Sequence, residues 1–385
     1  MQTVLFYLAL TNLFVVVAVL ISMTVGGRSI VQLRDVPPPD NLDDLPKVSL
    51  IVAARNEEQN IEPGIRSLLA LDYRNLEIIV VNDRSTDGTG AILDRVAAEH
   101  PQLNVVHLAE LPPGWLGKNH ALHYGAKRAS GELLLFTDAD VVMEPTTLSR
   151  AVRYLKENQL DHLCIAPEPR MPTWFLEAFV MTFSVFLSCY ARPWKAKDPR
   201  SKAHIGIGAF NLLWAQAYHD VGAMEAIAMR PDDDIKLGKL LKLHGKRQEM
   251  LGGLGMVIVP WYNSVREVVT GLEKNTFAAV DYRIWAVLGG TLAILILDVF
   301  PFIGAFVTNG ATQIMYVATC LLLWVLSAGA AHAVNARVST VLVFPVACLF
   351  FVYIQWRSMW LTLKNGGIRW RDTHYPLAEL KANRI

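Results

Sequence analysis

Four long apolar runs constrain this chain more than any other feature of its sequence. Residues 4–23 contain no charged side chain, and further apolar runs cover residues 284–307, 314–331 and 341–353, the last continuing towards residue 363. A membrane-spanning helix needs about 20 mainly apolar residues. Helices that pack on the core of a soluble domain carry a polar face opposite the apolar one. These runs lack such a polar face. The pattern therefore predicts one N-terminal and about three C-terminal membrane helices.

The overall composition agrees with a membrane protein. Of 385 residues, 52% are hydrophobic and 18% are charged, whereas soluble domains average about 25% charged residues. The net charge of +1 argues against a nucleic-acid-binding protein, which would carry a basic excess. The four cysteines form no Cys-x-x-Cys pair, so we expect free thiols and no structural zinc site. The first apolar run lacks a basic leader, which favours an anchor over a signal peptide.

Basic residues near the apolar runs predict the orientation of the chain. Arg28 and Arg34 closely follow the first run, which places its C-terminal end in the cytoplasm. The basic tail also favours the cytoplasm, yet three full C-terminal spans would place it outside. The tail contains Lys364, Arg369, Arg371, Lys381 and Arg384. We therefore expect a multi-pass protein of the inner membrane with one re-entrant or interfacial C-terminal segment, broken near Pro301 or Pro345. Residues 176–190 are interpreted as a further apolar helix in the interface.

These features divide the chain into six predicted segments. They are an N-terminal transmembrane helix at 1–27, a linker at 28–45, a cytosolic α/β domain at 46–265, a juxtamembrane segment at 266–282, membrane helices at 283–363 and a basic juxtamembrane tail at 364–385. Pro37, Pro38 and Pro39 stiffen the linker.

The soluble segment has the pattern of an α/β domain. Short runs at residues 48–53, 76–81, 104–108 and 133–136, the first of them rich in β-branched side chains, predict buried strands, with helical periodicity between them. Strands that alternate with helices at this spacing predict a Rossmann-like, mostly parallel sheet. Ligands of such sheets bind beyond the carboxyl ends of the strands.

Charged residues gather where the predicted strands end. Arg55 and Glu57 follow the first strand, Asp83 ends the second, and Asp138 and Asp140 follow the fourth. A single acid there is usually a solvated loop residue or a helix cap, but three strands ending alike favour a shared site. Two carboxylates one residue apart suit Mg²⁺ or Mn²⁺, which prefer oxygen ligands.

The sequence resembles the family 2 glycosyltransferases of the GT-A fold. The matching motifs are residues 48–58, 77–89, 131–140 and 233–238. With residues 114–119 and 366–371, the chain most resembles the membrane-bound subgroup that glycosylates lipids, which includes hopanoid-associated, carotenoid and ceramide glycosyltransferases. The resemblance covers roughly residues 46–255. It implies a hexosyltransferase that uses a nucleotide-sugar donor, with UDP as the expected nucleotide, and a lipid acceptor.

The resemblance also assigns donor-site roles to individual residues. It implies that Asp83 binds the nucleotide base, that Ala54, Arg55 and Glu57 lie near the nucleoside, that Asp138 and Ala139 lie beside the sugar-nucleotide, and that Asp140 is a metal ligand with Asp138. Lys118 precedes a predicted helix in a glycine-rich loop, a position that favours a diphosphate contact. A solvent-exposed lysine is the alternative.

The acidic cluster at residues 232–234 precedes a predicted helix. Acids favour the first turn of a helix, so a capping role is one interpretation. The resemblance implies in addition that Asp234 is the general base and Asp233 its neighbour. Crowded carboxylates raise the pKa of one another, which suits a base that works near neutral pH. The implied reaction is a displacement with inversion at the anomeric carbon.

The acceptor side is the least determined part of the prediction. Gly208, Trp214, Trp370 and Arg371 are candidate acceptor-side residues, with core packing as the alternative for Trp214 and a membrane anchor for the last two. Residues 355–360 hold the parts of the polymer-synthase motif Gln-x-x-Arg-Trp in the wrong spacing, which favours transfer of a single sugar. A polyprenyl-phosphate glycosyltransferase or polysaccharide synthase is the enzymatic alternative. A transporter or scaffold with an inactive sugar-nucleotide domain is the non-enzymatic one.

Overall fold

The computed structural model describes residues 2–383 and residue 385, so Arg384 of the predicted tail lies outside the described residues. The chain forms two compact units. The sheet unit comprises residues 30–168 and 193–260 with the described residues of 382–385. The helical unit comprises the described residues of 1–29 together with 169–192 and 261–381.

The strands in the described residues range from two to eight residues in length. They are β1 (Val48–Ala54), β2 (Leu76–Asp83), β3 (Leu103–Leu108), β4 (Leu133–Asp138), β5 (Val142–Met143), β6 (His162–Ala166), β7 (Glu168–Arg170), β8 (Asn211–Trp214), β9 (Gln248–Gly252), β10 (Val257–Pro260), β11 (Gly367–Trp370) and β12 (Thr373–Pro376).

The described residues form fourteen α-helices, and the long apolar ones belong to the helical unit. They are α1 (Gln2–Arg28), α2 (Ile61–Leu69), α3 (Thr89–Glu99), α4 (Gly117–Ala126), α5 (Thr147–Glu157), α6 (Trp174–Ala191), α7 (Ala215–Asp220), α8 (Asp233–Leu243), α9 (Val265–Ala279), α10 (Ile284–Ile294), α11 (Phe300–Val307), α12 (Gly310–Ala333), α13 (Phe344–Lys364) and α14 (Leu377–Ala382). Short 3₁₀ turns occur at Leu33–Asp35, Pro193–Lys195, Ala223–Ile227 and Val338–Val343.

The main sheet has the strand order β3-β2-β1-β4-β8-β6-β9. Its strands are parallel except β8, which is antiparallel to both β4 and β6. The four predicted strands correspond to β1–β4. Since both faces of β1 are buried, its β-branched composition is that of a strand covered by helices on both sides. The predicted mostly parallel α/β fold is confirmed.

Strand register places the ends of β1, β2 and β4 at one rim of the sheet. Ala54 pairs with Asn82 of β2, and Ala53 pairs with Asp138 of β4. The backbone after β4 comes close to α2, because a Cβ added to Gly64 would lie 2.4 Å from the carbonyl oxygen of Ala139. The rim is therefore fixed by close backbone packing.

Within the described residues, five helices are long and apolar enough to cross a membrane. They cover Gln2–Arg28, Trp174–Lys195, Ile284–Val307, Gly310–Ala333 and Val338–Lys364. This confirms the predicted apolar helices at the N-terminal and C-terminal ends of the chain. Pro301 and Pro345 lie in the first turns of α11 and α13, where a missing N–H is tolerated.

The two longest differences between the observed units and the predicted segments lie at residues 169–192 and 30–45. Residues 169–192, predicted within the α/β domain, belong to the helical unit because α6 packs with other apolar helices. Residues 30–45, predicted as a linker, belong to the sheet unit because Leu33, Val36 and Leu45 are buried in its core. Burial of scattered apolar side chains cannot be recognised from a proline-rich stretch.

Candidate active site

Asp83 lies at the end of β2 between two guanidinium groups. Its Oδ1 accepts a hydrogen bond from Arg84 Nε at 2.7 Å and its Oδ2 accepts one from Arg84 Nη2 at 3.0 Å. Arg55 Nη1 lies 3.7 Å from Asp83 Oδ2. The carboxylate is 2% exposed, so this charge is buried and compensated. Arg55 lies where the sequence placed it, whereas Arg84 was not predicted, although it directly follows the strand-ending acid.

The loops that follow β1 and β2 are joined by hydrogen bonds. Asn56 Oδ1 accepts from Thr86 N at 2.8 Å, and Glu57 N donates to Thr89 Oγ1 at 2.8 Å. Glu58 Oε2 accepts from Gly88 N at 2.8 Å, next to the start of α3. Part of the polar motif after β1 therefore holds the rim together.

The start of α4 brings a lysine to the end of β4. Lys118 Nζ lies 2.7 Å from Asp138 Oδ1 and 3.8 Å from Asp233 Oδ2. Gly117 lies against Asp83, since an added Cβ would be 2.4 Å from Asp83 Oδ2. A side chain at residue 117 would therefore separate the helix start from the rim.

The ammonium group of Lys118 remains charged in this environment. Burial acts to lower its pKa, but the carboxylates of Asp138, Asp233 and Asp234 outweigh burial and raise the pKa above its ordinary value. The positive charge is therefore fixed next to the acids by Coulombic attraction.

Gly208 marks the point at which three charged side chains converge. Its N–H donates to Asp234 Oδ2 at 2.8 Å. A Cβ added at Gly208 would lie 2.8 Å from Asp138 Oδ2, 3.3 Å from Lys118 Nζ and 3.5 Å from Asp234 Oδ2. The charged residues come from β4, α4 and α8, so the fold brings together side chains distant in the sequence.

Two of the acids titrate far above the usual range of aspartate. Burial, reinforced by the Asp233 carboxylate, raises the pKa of Asp234 to about 7. Burial, together with the carboxylates of Asp138 and Glu57, raises the pKa of Asp140 to about 7. Near neutral pH, Asp234 can therefore accept a proton, and Asp140 lies in a crowded acidic environment.

Asp232 has a different role from the two acids that follow it. Arg230, which has no exposed surface, donates to both carboxylate oxygens of Asp232 at 2.9 Å. Asp233 and Asp234 form the first turn of α8. Acids in the first turn of α8 agree with the capping interpretation, whereas the site roles of Asp233 and Asp234 stay a prediction. Asp232 is a member of a buried ion pair.

Asn119 connects the lysine to the segment that precedes the acids. Its Nδ2 donates to the carbonyl oxygens of Ile227, Ala228 and Arg230 at 2.8, 3.2 and 2.9 Å. Asn119 is 1% exposed. Sequence reasoning missed this residue, since an asparagine next to Lys118 carries no distinctive signal.

Trp214, a predicted acceptor-side residue, lies far from Asp138 along the sheet. Trp214 pairs with Leu133 at the start of β4, whereas Asp138 ends that strand. Five residues of strand separate these positions by roughly 16 Å. The Trp214 indole donates to Leu160 O at 3.0 Å and packs in the core. The structure therefore does not bring Trp214 together with Asp138, and its side chain packs as the core alternative describes.

Trp370 and Arg371 belong to the helical unit. Trp370 ends β11, and its ring lies 3.4 Å from Lys274 Nζ. Arg371 follows in the turn between β11 and β12, with a φ of 53°. Their assignment to the acceptor side stays a prediction.

The acids at the end of β4 can contribute to a cation site but not complete one. Among the described residues, no group of three or more His, Cys, Asp or Glu side chains is placed to hold a metal ion. Asp138 and Asp140 are nevertheless crowded carboxylates, as the raised pKa of Asp140 shows. A divalent cation would offset their repulsion, so these residues fit an ion whose other ligands come from substrate or water.

Residues 49–222 match the family model described as Glycosyl transferase family 2. This part of the chain is therefore similar to the family 2 glycosyltransferases, in agreement with the motif resemblance.

Curated relatives cover only parts of the chain. The poly-beta-1,6-N-acetyl-D-glucosamine synthase of Staphylococcus aureus (strain COL) is 26% identical over 247 residues, which are 60% of this chain and 58% of the relative. An uncharacterized glycosyltransferase of Haemophilus influenzae is 34% identical over 122 residues, 32% of this chain and 36% of the relative. The chain therefore matches less than two thirds of the length of either relative.

A solved structure resembles nearly the whole chain. The mannosyltransferase PcManGT from Pyrobaculum calidifontis, in complex with GDP-Man and Mn²⁺, aligns with a TM-score of 0.53 and 20% identity, covering 94% of this chain and 98% of that structure. At this identity the likeness establishes the fold.

Proposed function

We propose that this protein is an inverting glycosyltransferase that moves one sugar from a nucleoside diphosphate donor, with UDP-sugars as the first candidates, to a lipid hydroxyl at the cytosolic membrane face. The observation that carries the proposal is the convergence of Lys118, Asp138 and Asp234 around Gly208. The positive charge of Lys118 is suited to contact an anionic leaving group. Asp234, whose pKa is about 7, is suited to accept the proton that the reaction releases.

The donor end of the site follows from the rim of the sheet. Asp83 is proposed to bind the base, with Ala54, Arg55 and Glu57 near the nucleoside and Ala139 near the sugar-nucleotide. Lys118, at the start of α4, is proposed to contact the diphosphate, where helix N–H groups also favour an anion.

Asp138 and Asp140 are proposed to hold a divalent cation, Mg²⁺ or Mn²⁺. Such an ion, when bound, neutralises charge on a departing diphosphate. The chemistry of the donor set supports this, as does the Mn²⁺ in the structural neighbour PcManGT.

The acceptor step requires a base near the reacting carbon. Asp234 is proposed to take the proton from the acceptor hydroxyl while its oxygen bonds to the anomeric carbon. The bond from that carbon to the diphosphate oxygen breaks on the opposite face, and the nucleoside diphosphate departs. A base whose pKa is about 7 is partly ionised at neutral pH and retains its proton affinity.

Polysaccharide synthesis is the alternative with direct support, because a curated relative is a poly-beta-1,6-N-acetyl-D-glucosamine synthase. Mass spectrometry of the products separates the possibilities. A lipid that gains a single hexose by an acid-stable bond supports the proposal. A ladder of sugars identifies a synthase, and an acid-labile phosphate-linked sugar identifies a polyprenyl-phosphate glycosyltransferase.

The deciding experiment uses the full chain in lipid nanodiscs with membrane lipid extract, Mn²⁺ and either UDP-sugars or GDP-mannose. Asp234→Asn should lower product formation by about 10²- to 10⁴-fold, the usual contribution of a general base. The exposed acid Asp40 provides the matched control Asp40→Asn, which should remain active. Product formation or donor hydrolysis that persists unchanged in both Asp234→Asn and Asp140→Ala would refute the proposed site and favour the scaffold alternative.

A further inference from the structure

The apolar helix α6 interrupts the sheet unit in the sequence. The chain leaves β6 before α6 and forms β8 after it, and these two strands are hydrogen-bonded neighbours, with His162 opposite Leu213 and Cys164 opposite Asn211. A helix that crossed a membrane once would place β6 and β8 on opposite sides. The two ends of α6 must therefore lie on the same side as the sheet, although its length and composition would allow it to span.

The same reasoning limits the crossings in the C-terminal part. The chain leaves the sheet unit after β10, and its last residues are again part of that unit. Asn383 exchanges hydrogen bonds with Met229 N and Ala226 O at 3.0 Å, and Lys239 Nζ donates to Ile385 O at 2.6 Å. The number of crossings between these points must therefore be even. Three apolar helical segments, α10–α11, α12 and α13, lie between them, so at least one does not cross.

Packing within the helical unit identifies α13 as the helix that does not cross. Phe350 and Phe351 of α13 contact the rings of Phe179 and Phe186 of α6, with centroids 5.2 and 5.0 Å apart. Before α13, Arg337 Nε lies 2.9 Å from Glu177 Oε2, near the start of α6. Because both ends of α6 lie on the sheet side, the beginning of α13 lies there too.

The other half of α13 packs against α9, which follows the sheet unit directly. Arg357 Nε lies 2.5 Å from Glu273 Oε1, and Ser358 Oγ accepts from Phe277 N at 3.2 Å.

By contrast, α12 packs along α1, where Tyr316 Oη donates to Leu5 O at 3.3 Å near the N-terminal end of α1. The helices α1 and α12 thus run side by side in the same direction.

The surface of α13 suits a helix that lies along a membrane. Apolar and aromatic side chains recur on its exposed face at intervals of three and four residues: Val346, Leu349, Tyr353, Trp356, Trp360 and Leu363. The opposite face is buried. Tyr and Trp favour the headgroup region. Arg357 would lie inside the hydrocarbon region if α13 spanned the membrane, where a charged side chain is unfavourable, whereas an interfacial helix keeps it near the headgroups.

We infer that α6 and α13 lie within one leaflet, on the side of the sheet, with the exposed stripe of α13 against lipid, and that only α1, α10–α11 and α12 cross the membrane. This topology also places the basic tail on the same side as Arg28. It resolves the conflict between three C-terminal apolar runs and a basic C-terminal tail without a fourth crossing.

Single-cysteine labelling in sealed membrane vesicles of both orientations tests the topology. The background is Cys189→Ser, because the other cysteines are buried, and the parent without an added cysteine is the control. A membrane-impermeant maleimide should label Glu110→Cys in the sheet unit, Val338→Cys before α13 and Asn365→Cys after it from one side. It should label Asn309→Cys, between α11 and α12, from the other. Labelling of residue 365 from the side of residue 309 would overturn the inference. An epitope between Asn309 and Gly310 in the native-cysteine chain gives an independent readout.

Spin-label depth measurements test the orientation of α13 itself. Labels at residues 346 and 360 are separated by 14 residues, or about 21 Å of helix. A helix along the leaflet should place both at similar depth on the sheet side. A spanning helix would place them in opposite leaflets. Labels at Val4 and Ile21 of α1, both exposed, are the matched control and should lie in different leaflets. Equal separation in the two helices would refute the in-plane arrangement.

Discussion

At the residue scale, the ammonium group of Lys118 determines how the acids of the cluster coexist. It lies 2.7 Å from Asp138 and 3.8 Å from Asp233, and Asp234 also raises its pKa. Removal of this charge would leave buried and half-buried carboxylates next to one another without compensation, which is unfavourable. Lys118 therefore stabilises the ionised carboxylates in the protein without bound substrate.

Lys118→Met should lower donor turnover by about 10- to 100-fold, corresponding to the 1.5–3 kcal/mol of a charge-assisted hydrogen bond. The side chain keeps its length and loses its charge. Lys127→Met, directly after the same helix, is the matched control, because the side chain of that lysine is 65% exposed. Steady-state kinetics with varied donor should show the loss in kcat/KM for residue 118 only. Equal effects of the two substitutions would contradict a role for the ammonium group.

Gly208→Ala should abolish most activity while the chain still folds. The added Cβ would lie 2.8 Å from Asp138 Oδ2, so the carboxylate must move away from Lys118. We expect the rate of donor turnover to fall at least about 10-fold, which corresponds to an increase of roughly 1.4 kcal/mol in the activation free energy. Gly329→Ala is the control, since nothing lies within 4 Å of its added Cβ. Comparable donor turnover in both variants would show that a Cβ at residue 208 can be accommodated without disturbing Asp138 and Lys118.

The sequence predicted those site residues that end strands or begin helices within recognisable motifs. Asp83, Asp138 and Asp234 lie where the pattern placed them because strand ends and helix starts are local features. The separation of Trp214 from Asp138 could not be predicted, because it depends on the antiparallel pairing of β8 with β4. No local pattern in a four-residue strand determines its direction in a sheet.

At the element scale, the position of α4 relative to α8 depends on one buried amide. Asn119 donates to three carbonyl oxygens of the segment before α8, and Leu116 N donates to Ala228 O at 2.9 Å. These bonds hold Lys118 and Asp234 on adjoining elements. The sequence predicted both helices, but their mutual anchoring is a tertiary contact without a periodic signal.

Asn119→Asp should destabilise the protein by about 1–3 kcal/mol or more, because buried carbonyl oxygens lose their donor and face a carboxylate. The substitution conserves shape, so packing changes little. Asn104→Asp, at an exposed position of β3, is the matched control. Thermal unfolding in nanodiscs, followed by tryptophan fluorescence, should show a lower Tm for residue 119 alone. Unchanged Tm values in both variants would show that the amide does not anchor the helices.

At the scale of the whole molecule, the acidic cluster links stability and activity in opposite directions. Burial raises the pKa of Asp140 and of Asp234 to about 7, from the 3.8 of a solvated aspartate. Between these values the folded chain retains protons that the unfolded chain releases. The free energy of unfolding should therefore fall as pH rises from about 4 to 7. Turnover needs the ionised base and should rise over the upper part of the same range.

Without added divalent metal, Tm should thus decrease between pH 5 and pH 8, and Asp140→Asn should flatten this decrease because an amide does not titrate. Each kcal/mol relieved at pH 8 should raise Tm by about 2–4 °C. Asp40→Asn should retain the pH dependence of the parent, since Asp40 is exposed. The rate of Asp140→Asn should nevertheless rise through about pH 7, because Asp234 is still present. A Tm profile identical in all three proteins would show that the buried acids are already ionised in the folded state. In that case Asp140 would not be protonated in the folded protein, and the divalent cation would have to offset the repulsion between the Asp138 and Asp140 carboxylates.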